Sequence, residues 1–137
     1  MEFNRARLIR AAIDGLKNAY APYSGFHVSA AVLCGSGEIY TGVNVENASY
    51  PAGICAERNA IFHAAACGER KITAIVIVGG RGGMIEGYCP PCGVCRQVMR
   101  EFCEPTACKV ITAISETEYK EYTLEELLPC SFGSEYL

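Results

Sequence analysis

The middle of the chain contains an almost unbroken apolar run, residues 72 to 78, in which β-branched side chains predominate. Side chains of this kind favour strands, and a strand without polar alternation is buried on both of its faces. A sheet that contains such a strand needs a covering layer on each side. The run therefore predicts a central strand in a layered α/β domain.

Periodic segments flank this run on both sides. Apolar side chains recur at helical spacing in the first twenty residues, and short β-branched runs bounded by glycine and proline predict strands. A capping box of Thr123 and Glu126 predicts a short last helix that Pro129 ends. Residues 79 to 87 are rich in glycine and predict a loop. The predicted helices are 4 to 19, 55 to 67 and 92 to 103, and the predicted strands are 27 to 34, 38 to 43, 72 to 78, 109 to 114 and roughly 119 to 122.

This alternation predicts a mixed five-stranded sheet with helices on both faces, and the length of 137 residues predicts a single domain over 1–137. The net charge of −3 disfavours binding to a nucleic acid backbone and favours a small neutral substrate. The first five residues are too charged for a signal peptide, and no apolar run is long enough to span a membrane. We therefore expect a cytoplasmic protein with no membrane partner.

Nine cysteines are many for such a chain, and in a reducing compartment clustered cysteines indicate metal or redox chemistry. Cys92 and Cys95 are three residues apart at a predicted helix start, and Cys55 begins another predicted helix. Three thiolates fill three positions of a tetrahedral Zn²⁺ site and leave the fourth for water, as in catalytic zinc sites. Glu57 lies two residues after Cys55, where it could take a proton from that water. Arg58 could offset the thiolate charge by donating hydrogen bonds to sulfur.

Two alternatives stay open for these cysteines. Cys89 could act as a fourth ligand with Cys55, Cys92 and Cys95 in a structural zinc site, although Pro90 separates it from the helix start. The Cys-x-x-Cys pair could also be a redox pair, although no βαβ unit leads directly into it.

Five segments resemble the cytidine deaminase family in its small homotetrameric branch with three zinc-ligating cysteines. Residues 55 to 58 are Cys-Ala-Glu-Arg, and residues 91 to 97 are Pro-Cys-Gly-Val-Cys-Arg-Gln. The other three are 20 to 26, 42 to 47 and 127 to 133, in the order of the family. The resemblance implies a three-layer α/β/α cytidine-deaminase-like fold. It also implies one zinc ion per chain and hydrolytic deamination of cytidine and 2′-deoxycytidine in pyrimidine salvage.

The resemblance also implies roles for individual residues. Cys55, Cys92 and Cys95 would bind zinc, and Glu57 would move protons from water to ring N3 and to the leaving ammonia. The backbone N–H of Ala56 would donate to ring O2, and the carbonyl of Pro90 would accept from the 4-amino group. Asn44 and Glu46 would bind the ribose 3′-hydroxyl, and Phe26 would pack on the pyrimidine. Phe132 and Tyr50 would reach the site of a neighbouring subunit in a homotetramer. The family usually has serine or threonine where this chain has Pro90.

Several other functions remain as alternatives. A deaminase of a related aminopyrimidine nucleoside such as blasticidin S would share the zinc motif, but Asn44 and Glu46 favour an ordinary nucleoside sugar. Editing deaminases that act on RNA or DNA are disfavoured by the acidic charge. A deaminase of the free base would not need residues such as Asn44 and Glu46 to bind a ribose. A non-catalytic zinc-binding protein is the alternative from another class, and the presence of Glu57 argues against it.

Overall fold

A computed structural model describes residues 2–137 and shows a five-stranded mixed sheet with the strand order β2-β1-β3-β4-β5. The pairing of β3 with β4 is parallel, and the other three pairings are antiparallel. The strands are β1 (Phe26–Cys34), β2 (Ile39–Val43), β3 (Ile72–Arg81), β4 (Lys109–Ala113) and β5 (Tyr119–Thr123). The α-helices are α1 (Arg5–Gly15), α2 (Ala56–Ala66), α3 (Gly93–Phe102) and α4 (Leu124–Leu127), and 3₁₀-turns cover Leu16–Asn18, Tyr50–Ala52 and Ser134–Tyr136. The predicted mixed five-stranded sheet is confirmed, and Met1 of the domain predicted for 1–137 lies outside the described residues.

The central strand β3 is buried on both faces, as the apolar run predicts. Ala74, Val76 and Val78 pack toward Leu8, Ile9 and Ala12 of α1. The alternate residues Ile75 and Ile77 pack into a second core with α2 and α3, which includes Ala60, Ile61 and Met99. The side chains therefore divide between two apolar layers, and the three-layer α/β/α arrangement is confirmed. No helix within residues 2–137 is long and apolar enough to cross a membrane.

The strand directions bring two helix starts to one edge of the sheet. β2 and β3 both run antiparallel to β1, which lies between them, so their carboxyl ends lie at the same edge. The chain leaves β2 there and enters α2 after a loop, and it leaves β3 there and enters α3. In open α/β sheets the edge at the carboxyl ends of strands is where crevices form.

One boundary differs clearly from the prediction. The glycine-rich segment was expected to be a loop from Gly79 onward, but β3 continues through Gly79 and Gly80 to Arg81, paired with the start of β1. Gly80 has to be small because a Cβ there would lie 1.8 Å from the carbonyl oxygen of Met84, where the following loop folds back. Glycine is therefore used here for close backbone approach inside a strand, not for a turn.

Gly42 of the edge strand β2 has a similar role against α2. A Cβ at this position would lie 2.2 Å from the backbone nitrogen of Ala60 and 2.7 Å from the carbonyl carbon of Asn59. The close approach lets the Asn59 amide donate to the carbonyl of Val43 at 2.9 Å, and it places His63 Nδ1 3.0 Å from the carbonyl of Thr41. These contacts hold α2, and with it the edge at which α2 begins, onto the sheet.

We expect Gly42→Ala to lower the free energy of unfolding by about 1–3 kcal/mol or more, because the new methyl group would overlap the α2 backbone, which cannot move alone. Thermal and urea unfolding followed by circular dichroism would measure the change. Gly35→Ala is the matched control, since a Cβ there meets only the Lys71 side chain, at 3.5 Å or beyond. Equal stability of the Gly42→Ala protein and the control would contradict this account of α2 packing.

Candidate metal centre and substrate cavity

Three cysteine sulfurs converge where α2 and α3 begin. Cys55 and Cys92 are the N-cap residues of α2 and α3, both with extended backbone, and Cys95 lies in the first turn of α3. The three Sγ atoms lie within 4.8 Å of one another, and those of Cys55 and Cys92 are 3.9 Å apart. The spacing of Cys92 and Cys95 points both side chains to one side of α3, toward the cap of α2.

The surroundings favour negative charge on this cluster. The cluster lies at the N-termini of α2 and α3, where the helix dipole favours negative charge, and Arg58 Nη2 lies 3.5 Å from the Cys55 sulfur. Hydrogen bonding from the Cys95 thiol, aided by Arg58, lowers the pKa of Cys55 to about 5. The same hydrogen bond, together with burial, raises the pKa of Cys95, so Cys55 holds the negative charge that the two share. A metal ligand must be deprotonated, and this environment supports that form at Cys55.

The donor set fits zinc. Thiolates are preferred zinc ligands, and three protein ligands leave one coordination position open. Cys89 is not part of the cluster, which over the described residues contains three thiols. Burial raises the pKa of the Cys89 thiol to about 11, so this thiol is neutral at physiological pH. The closed four-cysteine site considered from the sequence therefore has no support in this geometry.

Glu57 lies in the first turn of α2, beside the three thiols, and only 4% of the residue is exposed. Burial raises the pKa of its carboxyl to about 7, against the smaller opposing influence of backbone hydrogen bonding. A carboxyl with this pKa can both accept and release a proton near neutral pH. Its position next to a candidate metal centre makes it a candidate general base and acid.

Two cysteines of the cluster, Cys55 and Cys92, line a cavity of about 510 Å³. Glu57, Asn44 and Glu46 line the same cavity. A cavity of this size suits a small-molecule ligand. Charged residues that line it, within the described part of the chain, are Glu46, Glu57 and Arg58, and Arg58 is already paired with a thiol. Among residues 2–137, the lining of the cavity therefore contains no cation that is free to pair with a phosphate group.

The Asn44 amide is held by the first strand. Its Oδ1 accepts a hydrogen bond from the N–H of Val28 at 2.9 Å, and its Nδ2 donates to the carbonyl of Phe26 at 2.8 Å. Asn44 follows the last residue of β2, so its side chain continues the pairing with β1 after the strand has ended. One amide hydrogen stays free for a ligand.

The Glu46 carboxylate is held by the turn before β1. Its Oε1 accepts from the backbone N–H groups of Tyr23 and Ser24 at 3.0 and 3.1 Å, and its Oε2 accepts from the Ser24 hydroxyl. These hydrogen bonds, chiefly those from Ser24, lower the pKa of Glu46, so it is a fixed anion. Ser24 and Tyr23 were not predicted as site residues, although the segment 20 to 26 was singled out by its resemblance.

Of the other predicted site residues, some line the cavity and two do not. Ala56 and Pro90 line the cavity, and so does Tyr50, which is 77% exposed and lies near Tyr23 with a ring separation of 6.4 Å. Phe26 packs instead against the core under α2 and α3, and Phe132 is 55% exposed and stacks on Tyr136 outside the cavity. Phe26 and Phe132 therefore lie outside the lining of the cavity in the single chain.

The fold and site together define a three-layer α/β/α protein with a three-thiol candidate metal centre beside a buried carboxyl. Residues 3–123 match a protein-family model described as the cytidine and deoxycytidylate deaminase zinc-binding region. The match covers most of the chain, so this protein belongs to the cytidine and deoxycytidylate deaminase family, which binds zinc.

Similar proteins agree with this assignment. The chain is 43% identical over 132 residues to a cytidine deaminase of Halalkalibacterium halodurans, covering 96% of each protein. It is 40% identical over 131 residues to one of Sporosarcina psychrophila, covering 96% of this chain and 93% of the other. The crystal structure of cytidine deaminase from Burkholderia pseudomallei superposes with a TM-score of 0.82 at 42% identity and covers 92% of this chain and 97% of that chain.

We expect Cys55→Ser to lose most of its zinc, because hydroxyl oxygen is a poor replacement for a thiolate and two thiols alone do not hold the ion tightly. Cys89→Ser should keep one zinc per chain, because Cys89 lies outside the cluster. Elemental analysis of the purified, dialysed proteins would measure the metal content. Loss of zinc in the Cys89→Ser protein would contradict this prediction and would support Cys89 as a fourth zinc ligand.

Proposed function

We propose that this chain is a zinc-dependent hydrolase that converts cytidine and 2′-deoxycytidine to uridine and 2′-deoxyuridine with release of ammonia. The observation that carries the proposal is the placement of the buried Glu57 carboxyl beside the three-thiol cluster, in a cavity that also contains Asn44 and Glu46. The similarity to proteins named cytidine deaminase supports the substrate. The total reaction adds one water across the C4–N bond, so that a carbonyl forms and the amino group leaves.

Cys55, Cys92 and Cys95 would hold one zinc ion, and Arg58 would offset part of the charge of the three thiolates. Zinc supplies a Lewis acid that makes water more acidic and so a better nucleophile at neutral pH. Three thiolates would turn a dication into a centre of net charge −1, which weakens this effect relative to neutral ligands. The protein then depends more heavily on its own base.

Glu57 would supply that base. Its carboxylate would take a proton from the attacking water and deliver protons to ring N3 and to the departing amino group, a general acid–base shuttle. Burial raises its pKa to about 7, which suits a group that must accept a proton in one step and release it in the next. The short first turn of α2 keeps Glu57 next to Cys55.

The backbone near the cluster would orient the ring. Ala56 is the first residue of α2, so its N–H has no partner within the helix and is free to donate to the ring O2. Pro90 retains a carbonyl, which could accept from the 4-amino group, although it has lost any hydroxyl contribution. Both residues line the cavity.

Asn44 and Glu46 would hold the sugar. The Glu46 carboxylate has remaining acceptor capacity and Asn44 has a free amide hydrogen, so together they can accept from and donate to a 3′-hydroxyl. The fixed charge of Glu46 and the lack of a free cation favour a neutral nucleoside over its phosphate ester. Phe26 contributes indirectly, because its backbone carbonyl accepts a hydrogen bond from the Asn44 amide and so fixes that side chain.

We further propose a cytoplasmic homotetramer that serves pyrimidine salvage and in which neighbouring subunits complete the sites. Support comes from the exposed rings of Tyr50 and Phe132, one at the cavity and one outside it, which suit contacts with another subunit. A deaminase of blasticidin S or another modified aminopyrimidine nucleoside, and a non-catalytic zinc protein, are the alternatives. Conversion of cytidine to uridine by the purified zinc protein, followed by ultraviolet absorbance, tests the central proposal.

Glu57→Gln should lower kcat for cytidine on the order of 10²- to 10⁴-fold, because the amide cannot carry the proton. The variant should still hold one zinc per chain, because the three thiols are untouched. Steady-state kinetics and elemental analysis on the same preparation would measure both. Glu125→Gln, an exposed position on α4, is the matched control with unchanged kinetics. Full activity of Glu57→Gln would rule out the proposed shuttle.

Glu46→Gln should lower kcat/KM for cytidine on the order of 10- to 100-fold, because a hydrogen bond to a charged acceptor becomes one to a neutral amide. The native protein should have a high kcat/KM for deoxycytidine and a low kcat/KM for deoxycytidine 5′-monophosphate. The ratio of these two kcat/KM values should be smaller in the Glu46→Gln variant. Competitive kinetics with both substrates would measure the ratio, again beside Glu125→Gln. Efficient turnover of the phosphate ester by the native protein would contradict the assignment of a neutral nucleoside.

A further inference from the structure

The segment that leads into α3 has few backbone donors with which to hold its place. Cys92 follows two consecutive prolines, Pro90 and Pro91, and Pro90 contributes the carbonyl proposed to meet the 4-amino group. Proline has no backbone N–H, so neither residue can donate a hydrogen bond to the surrounding structure. The position of this segment therefore depends on groups that donate to its carbonyls.

Arg96 provides such a donor. Its Nε donates to the carbonyl of Pro91 at 2.9 Å, and its Nη1 donates to the carbonyl of Leu127 at 2.7 Å. Pro91 is buried and Arg96 is half-buried, so water competes little for these hydrogen bonds. Hydrogen bonds from a charged donor are also stronger than those between neutral groups. One side chain thus connects the residue before Cys92 to the end of α4.

Leu127 is well fixed because α4 is attached to the sheet at its first residue. Leu124 donates its N–H to the carbonyl of Cys108 at 3.1 Å, directly before β4. The Leu124 side chain is fully buried in the core under α2 and α3, and Leu127 packs against the same core. Arg96 therefore ties residues 90 to 92 to an element that the rest of the fold holds in place.

We propose that Arg96 is a positioning residue, which fixes residues 90 to 92 so that the Cys92 sulfur meets the zinc ion and the Pro90 carbonyl meets the 4-amino group. This inference rests on the proposed function. Pro91 lies between those two residues in the chain, and its carbonyl is the point at which Arg96 acts. The residues of 2–137 that line the cavity do not include Arg96, so its effect passes through Pro91.

The first test follows the release of zinc from the fully loaded proteins to an excess of a chromogenic chelator. Arg96→Gln should release zinc on the order of 10-fold faster than the native protein, because Cys92 is no longer held in place. Arg96→Lys keeps the charge but replaces the planar fork by a single ammonium group, so its release rate should lie between the two. This milder variant also serves as the second test should Arg96→Gln fold poorly.

Arg100→Gln is the matched control on the same helix. Arg100 lies four residues after Arg96, and its guanidinium also binds the C-terminal segment, where it donates to Ser131 Oγ at 2.8 Å and pairs with Glu135. Its substitution removes comparable arginine contacts but leaves the hydrogen bond to Pro91 intact. The Arg100→Gln protein should therefore release zinc at the native rate.

The second test measures cytidine turnover by the fully zinc-loaded proteins. Arg96→Gln should lower kcat on the order of 10-fold and leave KM nearly unchanged, because Pro90 and Cys92 act at the reacting amino group whereas Asn44 and Glu46 hold the sugar. A native kcat in the zinc-loaded Arg96→Gln protein would overturn the placement of the Pro90 carbonyl by Arg96.

The two tests separate this inference from the proposed function. Failure of the native protein to deaminate cytidine would defeat the proposed function, and the zinc-release rates would still decide the role of Arg96 at Cys92. Equal zinc release from the Arg96→Gln and Arg100→Gln proteins would overturn the role of Arg96 at the metal centre and leave the proposed function intact.

Discussion

The burial of β3 on both faces is the constraint on which the site depends. Its alternate side chains enter two apolar cores, so a helical layer must cover each face of the sheet. On one face α2 and α3 both begin at the sheet edge where β2 and β3 end. Because the two helix starts share that edge, Cys55 and Cys92 can meet although they are far apart in the sequence. The close approach of α2 at Gly42 keeps this geometry fixed.

The chemistry at that edge follows from a balance between burial and charge. Helix N-termini and Arg58 stabilise thiolate, so the three sulfurs can bind a cation. Burial has the opposite effect on Glu57, because it raises the pKa of the carboxyl to about 7, close to neutral pH. The pKa values of these two adjacent acidic groups are therefore shifted in opposite directions, because the Cys55 thiolate is stabilised by hydrogen bonds and the Glu57 carboxylate is desolvated. This separation suits a metal centre paired with a proton carrier.

The substrate end of the cavity is held by the turn that precedes β1. Ser24 and Tyr23 fix the Glu46 carboxylate, and the backbone of β1 fixes the Asn44 amide. Neither side chain has to be ordered by the ligand, so less conformational entropy is lost on binding. Val28 and Cys89 also line the cavity and add apolar surface to its polar groups.

The sequence alone determined the local elements and the chemical identity of the centre. Helical spacing, β-branched runs and the capping box of Thr123 and Glu126 depend on neighbours in the chain, and the structure reproduces them. The three thiols that come together are the three predicted from the spacing of Cys92 and Cys95 and the position of Cys55.

Only the tertiary structure decided how distant segments meet. The glycines at 79 and 80 predict a loop, but pairing with β1 makes them part of a strand. The hydrogen bonds from Ser24 to Glu46 and the contact of the Cys89 sulfur with Gly79 join different elements of the fold. The positions of Phe26 and Phe132 outside the cavity lining of the single chain also depend on the packing of those elements. Such contacts are fixed by the packing of layers and by the register of strands, which no local pattern encodes.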